Sequence, residues 1–301
     1  MEIAITGASG LIGTALAPVL QAAGHTVRPV VRGTSDDPGA VRWDPAAGTI
    51  DAGALEGVDA VVHLAGAGIG DRRWSPARKR EILESRTRGT DLVARTLAGL
   101  ASPPAVLVSG SAIGYYGTRG DEVLDESSPP GDDFLAGLVQ AWEAAAAPAV
   151  DAGIRTVFPR TVPVLTRRGG ILPRMALPFR LFVGGRLGSG RQWMSWVSLD
   201  DAVAALVFLL DHPDVAGPVI VGSPQPVTNA DMARAIGAAL GRPSAVPVPA
   251  FAPRLVLGRE MADSLLFVSQ RAHPGVLVDG GFAFTHPDLD GALADALGGD
   301  R

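Results

Sequence analysis

The sequence predicts an α/β protein with a doubly wound parallel sheet and a smaller C-terminal lobe, and three observations predict this class. A short apolar run at residues 2–6 is followed by a glycine-rich turn and then by helical spacing from residue 11. Two further apolar runs, at residues 59–66 and 105–109, have the character of buried parallel strands and alternate with amphipathic segments. From residue 165 prolines and glycines become dense, which indicates a second structural unit.

The glycine-rich turn indicates a dinucleotide-binding loop. Gly7 allows a tight turn, Gly10 lets the backbone approach a pyrophosphate, and Gly13 lets the helix pack close to the strand. The first N–H groups of that helix then point at the anion. A glycine-rich turn without a ligand is the alternative, and the position of the glycines between a strand and a helix argues against it.

The second strand and the residue after it bear on the choice of cofactor. This strand is predicted at Thr26–Val31, although Pro29 lacks the N–H that a strand flanked on both sides needs. At the end of such a strand an acidic residue favours NAD, whereas a basic residue accommodates the 2′-phosphate of NADP. Arg32 stands there, so NADP(H) is predicted, with NAD(H) as the alternative, and the acids at 36–37 are interpreted as loop charges.

The middle of the chain carries the rest of the predicted sheet. Residues 59–66 form a strand and its turn, and His63 within it is interpreted as a core histidine. Ser75-Pro76 has the residue types that begin a long helix, whose charged residues mostly form a solvated face. Also predicted are an edge segment within 41–55, a strand at 105–109, a helix from Phe134 to about Val150, and a strand at 155–160 that contains an awkward Pro159.

The predicted domains are discontinuous. Residues 1–164 and about 197–225 form the nucleotide-binding domain, and residues 165–196 and 226–301 form the substrate lobe. Trp193 and Trp196 in the inserted segment suggest that a small molecule binds beside the cofactor, although a core role is the alternative for each. The remaining predicted elements are a helix at 202–210, a strand at 219–221, a helix at 228–240 and a helical region at 251–297.

Composition excludes several classes of function. The chain has 301 residues, 47% of them hydrophobic, and can bury a sizeable core. A net charge of −5 gives no reason to expect nucleic acid or an anionic membrane as a partner. Without cysteine there are no thiolate metal ligands or cysteine nucleophiles, and no metal is expected. We expect a cytoplasmic protein without a signal peptide or membrane span, and the sequence leaves a homo-oligomer open.

A family resemblance covers nearly the whole chain. It rests on Thr6–Gly13, His63–Gly66, Ser85-Arg86, Ser109–Gly117, Gly188–Trp193, Trp196–Asp201, Val227–Ala230, Phe251 and Gly281-Phe282. On these motifs the sequence resembles an atypical extended short-chain dehydrogenase/reductase of the NAD-dependent epimerase/dehydratase superfamily. More narrowly, it is similar to a subgroup of nucleoside-diphosphate-sugar epimerase-like proteins with a distinctive short C-terminal domain. The resemblance implies a Rossmann-like fold and an NADP(H) site.

The predicted cofactor-binding residues combine the resemblance with the ends of the central strands. For Glu81 and Arg86 the charge pattern alone indicates only a solvated face, and the resemblance is what makes them candidates. The full set is Gly7, Ser9, Gly10, Leu11, Ile12, Gly13, Val31, Arg32, Leu64, Ala65, Gly66, Glu81, Arg86, Ser109 and Val164.

The catalytic residues that the resemblance implies are only partly present. Active members of the superfamily use a serine, which Ser111 matches, and a Tyr-x-x-x-Lys pair on a helix. Neither of the two tyrosines, Tyr115 and Tyr116, has a lysine four residues later, and the only lysine is Lys79. The helix expected to carry the pair, Phe134–Glu143, contains neither residue type.

Two hypotheses about function follow. In the first the protein is an oxidoreductase or epimerase for a small carbonyl or nucleotide-sugar substrate, and Tyr115, Tyr116 or Glu81 takes the proton role beside Ser111. Loss of a tuned acid, typically worth ~10²–10⁴ in rate, argues against it. In the second the protein is a non-catalytic NADP(H)-binding sensor or scaffold.

Overall fold

The strands and helices follow the periodicity of the sequence in the computed structural model, which describes residues 1–298. The strands are β1 (Glu2–Thr6), β2 (Thr26–Val31), β3 (Val41–Asp44), β4 (Thr49–Ile50), β5 (Ala60–His63), β6 (Val106–Ser109), β7 (Ser111–Ala112), β8 (Val123–Leu124), β9 (Arg155–Thr161), β10 (Val164–Leu165), β11 (Trp193–Met194), β12 (Val197–Ser198), β13 (Gly217–Val221), β14 (Val227–Thr228) and β15 (Arg271–Ala272). The helices are α1 (Gly13–Ala22), α2 (Pro76–Ala98), α3 (Phe134–Ala144), α4 (Ala147–Asp151), α5 (Leu172–Arg180), α6 (Leu199–Asp211), α7 (Asn229–Leu240), α8 (Phe251–Leu257), α9 (Arg259–Leu265), α10 (Gly275–Asp279) and α11 (Leu289–Leu297).

The central sheet is doubly wound, as predicted. Its strand order is β13-β9-β6-β5-β1-β2-β3-β4, with β7 paired to β9 beside this path. Its pairs are parallel except for the β3–β4 hairpin at one edge. The chain runs outward in one direction from β1 to β3 and in the other from β5 to β13. The switch point therefore lies between β1 and β5, where sheets of this kind bind ligands beyond the carboxyl ends of their strands.

Alternating residues of each strand divide the core into two layers. Ile3 and Ile5 of β1 lie in one hydrophobic cluster, whereas Ala4 between them lies in another. Residues of α1 and α6 complete the first cluster, and residues of α2 and α4 complete the second. The period of two along a strand thus places one helix layer on each face of the sheet.

Two prolines that are unexpected inside parallel strands both lie where a neighbouring strand is missing. Pro29 pairs with β1 on one side, but β3 joins the other side of β2 only from Val30. Pro159 of β9 falls between the part of the strand that pairs with β6, which ends at Val157, and the part that pairs with β7 from Arg160. A missing N–H costs little at such a gap, so both strand predictions hold.

The predicted helix from Phe134 to about Val150 is two helices. The first, α3, ends at Ala144, and α4 begins at Ala147 with a proline in its first turn. Pro148 cannot donate a backbone hydrogen bond, which explains why a new helix begins just before it.

The C-terminal region contributes to two hydrophobic clusters. Side chains from α5, α7 and α11 pack around the fully buried Trp196 in a cluster of their own. Residues Ala272, Leu277, Phe282 and Phe284 instead pack in the cluster on the main sheet, and α10 contacts β13. The segment around residues 272–284 therefore packs on the sheet rather than with the cluster around Trp196.

The predicted domain limits stay a prediction. Within residues 1–298, no helix combines the length and apolar character of a membrane span.

Candidate functional site

The glycine-rich loop has the crowded backbone that its residues predict. Gly7, at φ 70°, packs against the backbone of Leu64 and Ala65, and an added Cβ would lie 2.9 Å from Ala65 N. A Cβ on Gly13 would overlap the carbonyl oxygen of Gly7. The amide of Gly10 donates to that same oxygen at 2.9 Å. No side chain caps the start of α1, although the amides of Thr14 and Leu16 already donate to the carbonyl oxygens of Gly10 and Ile12.

This loop borders a cleft of about 940 Å³ at the carboxyl ends of β1, β2 and β5. Nine predicted residues line the cleft, namely Gly7, Ser9, Gly10, Val31, Arg32, Leu64, Ala65, Gly66 and Glu81. Six others do not line it, namely Leu11, Ile12, Gly13, Arg86, Ser109 and Val164. The structure thus brings most of the predicted set together, while the role of each residue stays a prediction.

Other cleft residues were not predicted from sequence. Trp43, Pro45 and Ala46 come from the β3–β4 hairpin, and Ser85 and Arg88 from the middle of α2. Only the strand order brings this hairpin next to β2, so the sequence carries no local signal for it.

Arg32 is the cleft cation with the clearest freedom to bind a ligand. It is exposed, lines the cleft and has no ion pair or hydrogen bond from its side chain among the described residues. Asp37 accepts a hydrogen bond from the amide of Gly39 within its own loop. The interpretation of that acid as a loop charge agrees with this contact.

Arg86 lies beneath the loop that follows β5, not on a solvated face. Its Nη1 donates to the carbonyl oxygen of Ala67 at 2.9 Å, and its guanidinium lies 4.9 Å from the ring centre of Trp142. Burial, together with the charge of Arg78, lowers the pKa of Arg86 to about 10. Arg86 therefore stays charged at neutral pH and fixes the loop from below.

Glu81 faces the cleft from the adjoining turn of α2. Its carboxylate is half exposed and accepts from Nη1 of Arg78 at 2.7 Å. That hydrogen bond is the largest cause of the lowered pKa of Glu81. Arg78 was not predicted from the sequence, and its position on the apolar face of α2, four residues before Ile82, is the signal that could have found it.

The predicted catalytic serine is already engaged. Ser111 Oγ donates to Oε1 of Glu143 at 2.6 Å, and Arg160 holds the same carboxylate with Nε at 2.8 Å and Nη2 at 2.9 Å. Arg160 is buried, so its charge needs this partner. Sequence reasoning missed Glu143 and Arg160, although an arginine inside an apolar strand is itself a signal that a buried acid faces it.

The two tyrosines differ in their freedom to transfer a proton. Tyr116 is fully buried and its hydroxyl accepts from Nη1 of Arg160 at 3.0 Å. Burial raises the pKa of Tyr116 to about 12, which argues against proton transfer at neutral pH. Tyr115 is half-buried, and the guanidinium of Arg160 lies 3.4 Å from its ring centre. The Tyr115 hydroxyl has no hydrogen-bond partner within residues 1–298, so it is the less constrained of the two.

The helix expected to carry Tyr-x-x-x-Lys presents aliphatic side chains to this end of the sheet. Leu135 and Val139, four residues apart, lie against Gly114, where an added Cβ would be 3.3 Å and 3.7 Å from them. Lys79 instead projects from α2. Its Nζ lies 4.4 Å from the ring centre of Phe134 and 2.5 Å from a carboxylate oxygen of Glu260.

His63, Ser109 and Trp196 are buried, whereas Trp193 is half-buried. His63 is fully buried and its Nδ1 lies 2.7 Å from Oγ1 of Thr6, in agreement with the core interpretation. Ser109 is also fully buried, and its hydroxyl has no partner among residues 1–298. Trp196 is fully buried, whereas the indole of Trp193 donates to Asp121 at 2.9 Å. The described part of the chain contains no group of three or more side chains arranged as metal ligands.

Two family models match the chain. Residues 3–222 match the NAD dependent epimerase/dehydratase family, and residues 248–296 match a domain of unknown function, DUF1731. Among similar proteins, epimerase family protein ML0860 of Mycobacterium leprae is 42% identical over 294 residues, which cover 98% of this chain and 95% of that protein. Human epimerase family protein SDR39U1 is 37% identical over 300 residues, covering 99% of this chain and all (100%) of that protein.

Solved structures agree with these matches. The crystal structure of human SDR39U1 with NADPH superposes with a TM-score of 0.90 at 37% identity, and 99% of each chain is covered. A structure described as a nucleoside-diphosphate sugar epimerase from Corynebacterium glutamicum has a TM-score of 0.82 at 36% identity, covering 100% of this chain and 59% of that one. The chain therefore belongs to the NAD-dependent epimerase/dehydratase family, as an atypical extended short-chain dehydrogenase/reductase with a distinctive C-terminal domain.

Proposed function

We propose that this protein binds NADP(H) in the cleft beyond β1, β2 and β5 and uses it in hydride transfer with a small carbonyl or nucleotide-sugar substrate. The observation that carries the proposal is the cleft itself, which is lined both by the glycine loop and by Arg32, a cation without a side-chain partner among the described residues. The NADPH bound to human SDR39U1, at 37% identity over nearly the full chain, supports the choice of cofactor.

The residues present fit this cofactor. Backbone amides of the loop at residues 7–13 would hold the diphosphate. The tight backbone of this loop requires glycine, because a Cβ at Gly7 or Gly13 would overlap or crowd neighbouring backbone atoms. Arg32 would hold the 2′-phosphate, since its guanidinium has no competing acid among the described residues. When bound, the nicotinamide supplies the hydride acceptor or donor.

Within this proposal Tyr115 is the proton group, because its hydroxyl is the least engaged among Ser111, Tyr115 and Tyr116 in the described part of the chain. The Ser111 hydroxyl already donates a hydrogen bond to Glu143, and burial raises the pKa of Tyr116. The Tyr115 hydroxyl is unengaged among the described residues, and the positive charge of Arg160 lies over its ring at 3.4 Å.

A second candidate function is a sensor that binds NADP(H) without turnover. The aliphatic pair Leu135 and Val139 favours it, because these residues stand on α3 beside Gly114 with the spacing of the missing tyrosine and lysine. A binding cleft without a dedicated acid–base pair is what a sensor requires.

Two measurements separate these possibilities. Calorimetric titration with NADPH and NADH tests cofactor binding, and absence of binding by both would overturn the whole proposal. Stopped-flow oxidation of bound NADPH across a panel of carbonyls and nucleotide sugars then tests hydride transfer, with the Tyr115→Phe variant beside the wild type. If the wild type oxidises NADPH with one of these substrates and Tyr115→Phe lowers the rate, the enzyme hypothesis is supported. If no substrate in the panel causes oxidation although NADPH binds, the sensor hypothesis is supported.

A further inference from the structure

Arg78 connects a residue that lines the cleft to the loop that follows β5. It lies near the start of α2 and is only 7% exposed. Its Nη1 contacts the Glu81 carboxylate at 2.7 Å, and its Nη2 donates to the carbonyl oxygen of Gly68. The carboxylate of Asp71 lies 3.9 Å from the same Nη2. One buried guanidinium thus bonds to a cleft residue and to the loop that forms the cleft wall.

The loop needs such contacts because it has little structure of its own. Residues 64–75 contain neither helix nor strand, and the stretch includes three glycines. Three side chains on one face of α2 bind its backbone: Arg78 at Gly68, Arg86 at the Ala67 carbonyl at 2.9 Å, and Ser85, whose Oγ accepts from the Ala67 amide at 3.1 Å. The inner face of α2 therefore sets the position of the loop whose first residues line the cleft.

Charge gives Arg78 a second effect on the same site. Glu81 is half exposed at a cleft expected to hold several phosphate charges, and an uncompensated carboxylate there would repel them. Arg72 also approaches Glu81, but at 3.8 Å and with a 72% exposed side chain, so solvent screens it. Arg78 is the buried cation that both neutralises Glu81 and fixes the direction of its carboxylate.

We propose that Arg78 is a positioning residue of the nucleotide site, which holds Glu81 and the loop at residues 66–68 in the geometry that NADP(H) requires. The inference rests on the proposed function, since it concerns the same cleft. Arg78 itself does not line the cleft, so it acts through Glu81 and the loop rather than by contact with the nucleotide.

The test is a double-mutant cycle on NADPH affinity, measured by calorimetry with Arg78→Met, Glu81→Ala and the double variant. Arg80→Met is the matched control, because Arg80 is exposed two residues away on α2 and neither lines the cleft nor pairs with another described residue. Binding by the wild type checks the proposed function separately. We expect Arg78→Met to weaken NADPH binding by about tenfold or more, as loss of a charged hydrogen-bond partner does, and Arg80→Met to change it less than about twofold.

Coupling distinguishes positioning from a general loss of stability. If Arg78 acts through Glu81, the losses are not additive and the double variant binds at least as well as the weaker-binding single variant, whereas additive losses would overturn the proposal. An Arg78→Met affinity equal to that of Arg80→Met would also overturn it. Should Arg78→Met fail to fold, Arg78→Lys is used instead. A lysine keeps the positive charge but lacks the planar guanidinium that donates to Glu81 and Gly68 at the same time. Wild-type affinity in a folded Arg78→Lys variant would contradict the proposal.

Discussion

The two halves of the carboxyl edge of the sheet are built differently. Beyond β1, β2 and β5 the backbone leaves a cleft of about 940 Å³, and Arg32 faces it without a partner among the described residues. Beyond β6 and β9 the polar side chains bond to one another, from Ser111 through Glu143 to Arg160 and Tyr116. The first half is prepared for an external ligand, whereas the second half has satisfied its charges internally.

This difference indicates that the groups suited to nucleotide binding and the groups suited to proton transfer lie beyond different strands of the sheet, so that one set can change without the other. The half beyond β1, β2 and β5, called the binding half below, consists of backbone geometry and of Arg32, which has no partner among the described residues, and neither depends on which residues stand on α3. The other half depends on side chains, and there the aliphatic Leu135 and Val139 face Gly114. A family member can therefore keep the whole binding half while the acid–base pair is absent.

The largest expected effect is at Gly13. The Gly13→Ala variant places a Cβ into the carbonyl of Gly7, and a backbone neighbour cannot move aside as a flexible side chain can. We expect NADPH affinity to fall by about a hundredfold or more, measured by calorimetry. Gly137→Ala is the control, because a Cβ there meets nothing within 4 Å. Unchanged affinity in Gly13→Ala would mean that the loop is not the binding element.

The pH dependence of stability tests the burial of His63, which belongs to β5, one of the strands that end at the cleft. Burial lowers the pKa of His63 from 6.5 to about 4, so the unfolded chain binds this proton between those values and the folded chain does not. Stability is therefore lost as the pH falls from about 6.5 to about 4, by up to about 3 kcal/mol. Urea unfolding at several pH values measures it. A folded His63→Gln variant should lose this part of the slope, and an identical slope would contradict the assignment.

Arg32 tests whether the binding half selects the 2′-phosphate. Arg32→Ala removes a charged donor with no internal role, so NADPH affinity should fall by about tenfold or more while NADH affinity changes by less than about twofold. Parallel titrations with the two nucleotides measure the ratio. Equal losses for both would place Arg32 away from the 2′-phosphate.

The smallest effect is expected in the second half of the edge. Tyr116→Phe removes the acceptor of the Arg160 hydrogen bond, so the free energy of unfolding should fall by about 1 kcal/mol with NADPH affinity unchanged. Tyr115→Phe is the matched control, because its hydroxyl bonds to no described residue and its loss should leave stability as it was. If Tyr116→Phe weakened nucleotide binding instead, the two halves would not be independent.

The sequence predicts the binding half well because its signals are local. The glycines of the loop recur at intervals of three residues, Arg32 directly follows a strand, and period-two alternation assigns β1 to its two core layers. Each of these signals depends on steric rules that act within a few residues.

The second half could not be predicted because its partners are distant in the chain. Ser111 and Glu143 are 32 residues apart, and nothing between them indicates that they meet. In the half beyond β1, β2 and β5, Arg78 and Arg86 share the apolar face of α2, but their partners lie in the loop after β5, which the sequence does not place against that face. The cleft residues of the β3–β4 hairpin likewise become visible only through the strand order.

The placement of Lys79 has a practical consequence. It is the sole lysine of the sequence, and it lies where α2 meets Glu260 of α9. Apart from the terminal amine, a succinimidyl ester therefore has a single side chain to acylate. A fluorophore attached there would report directly on the junction between the long helix and the C-terminal helices, with no need to remove competing sites.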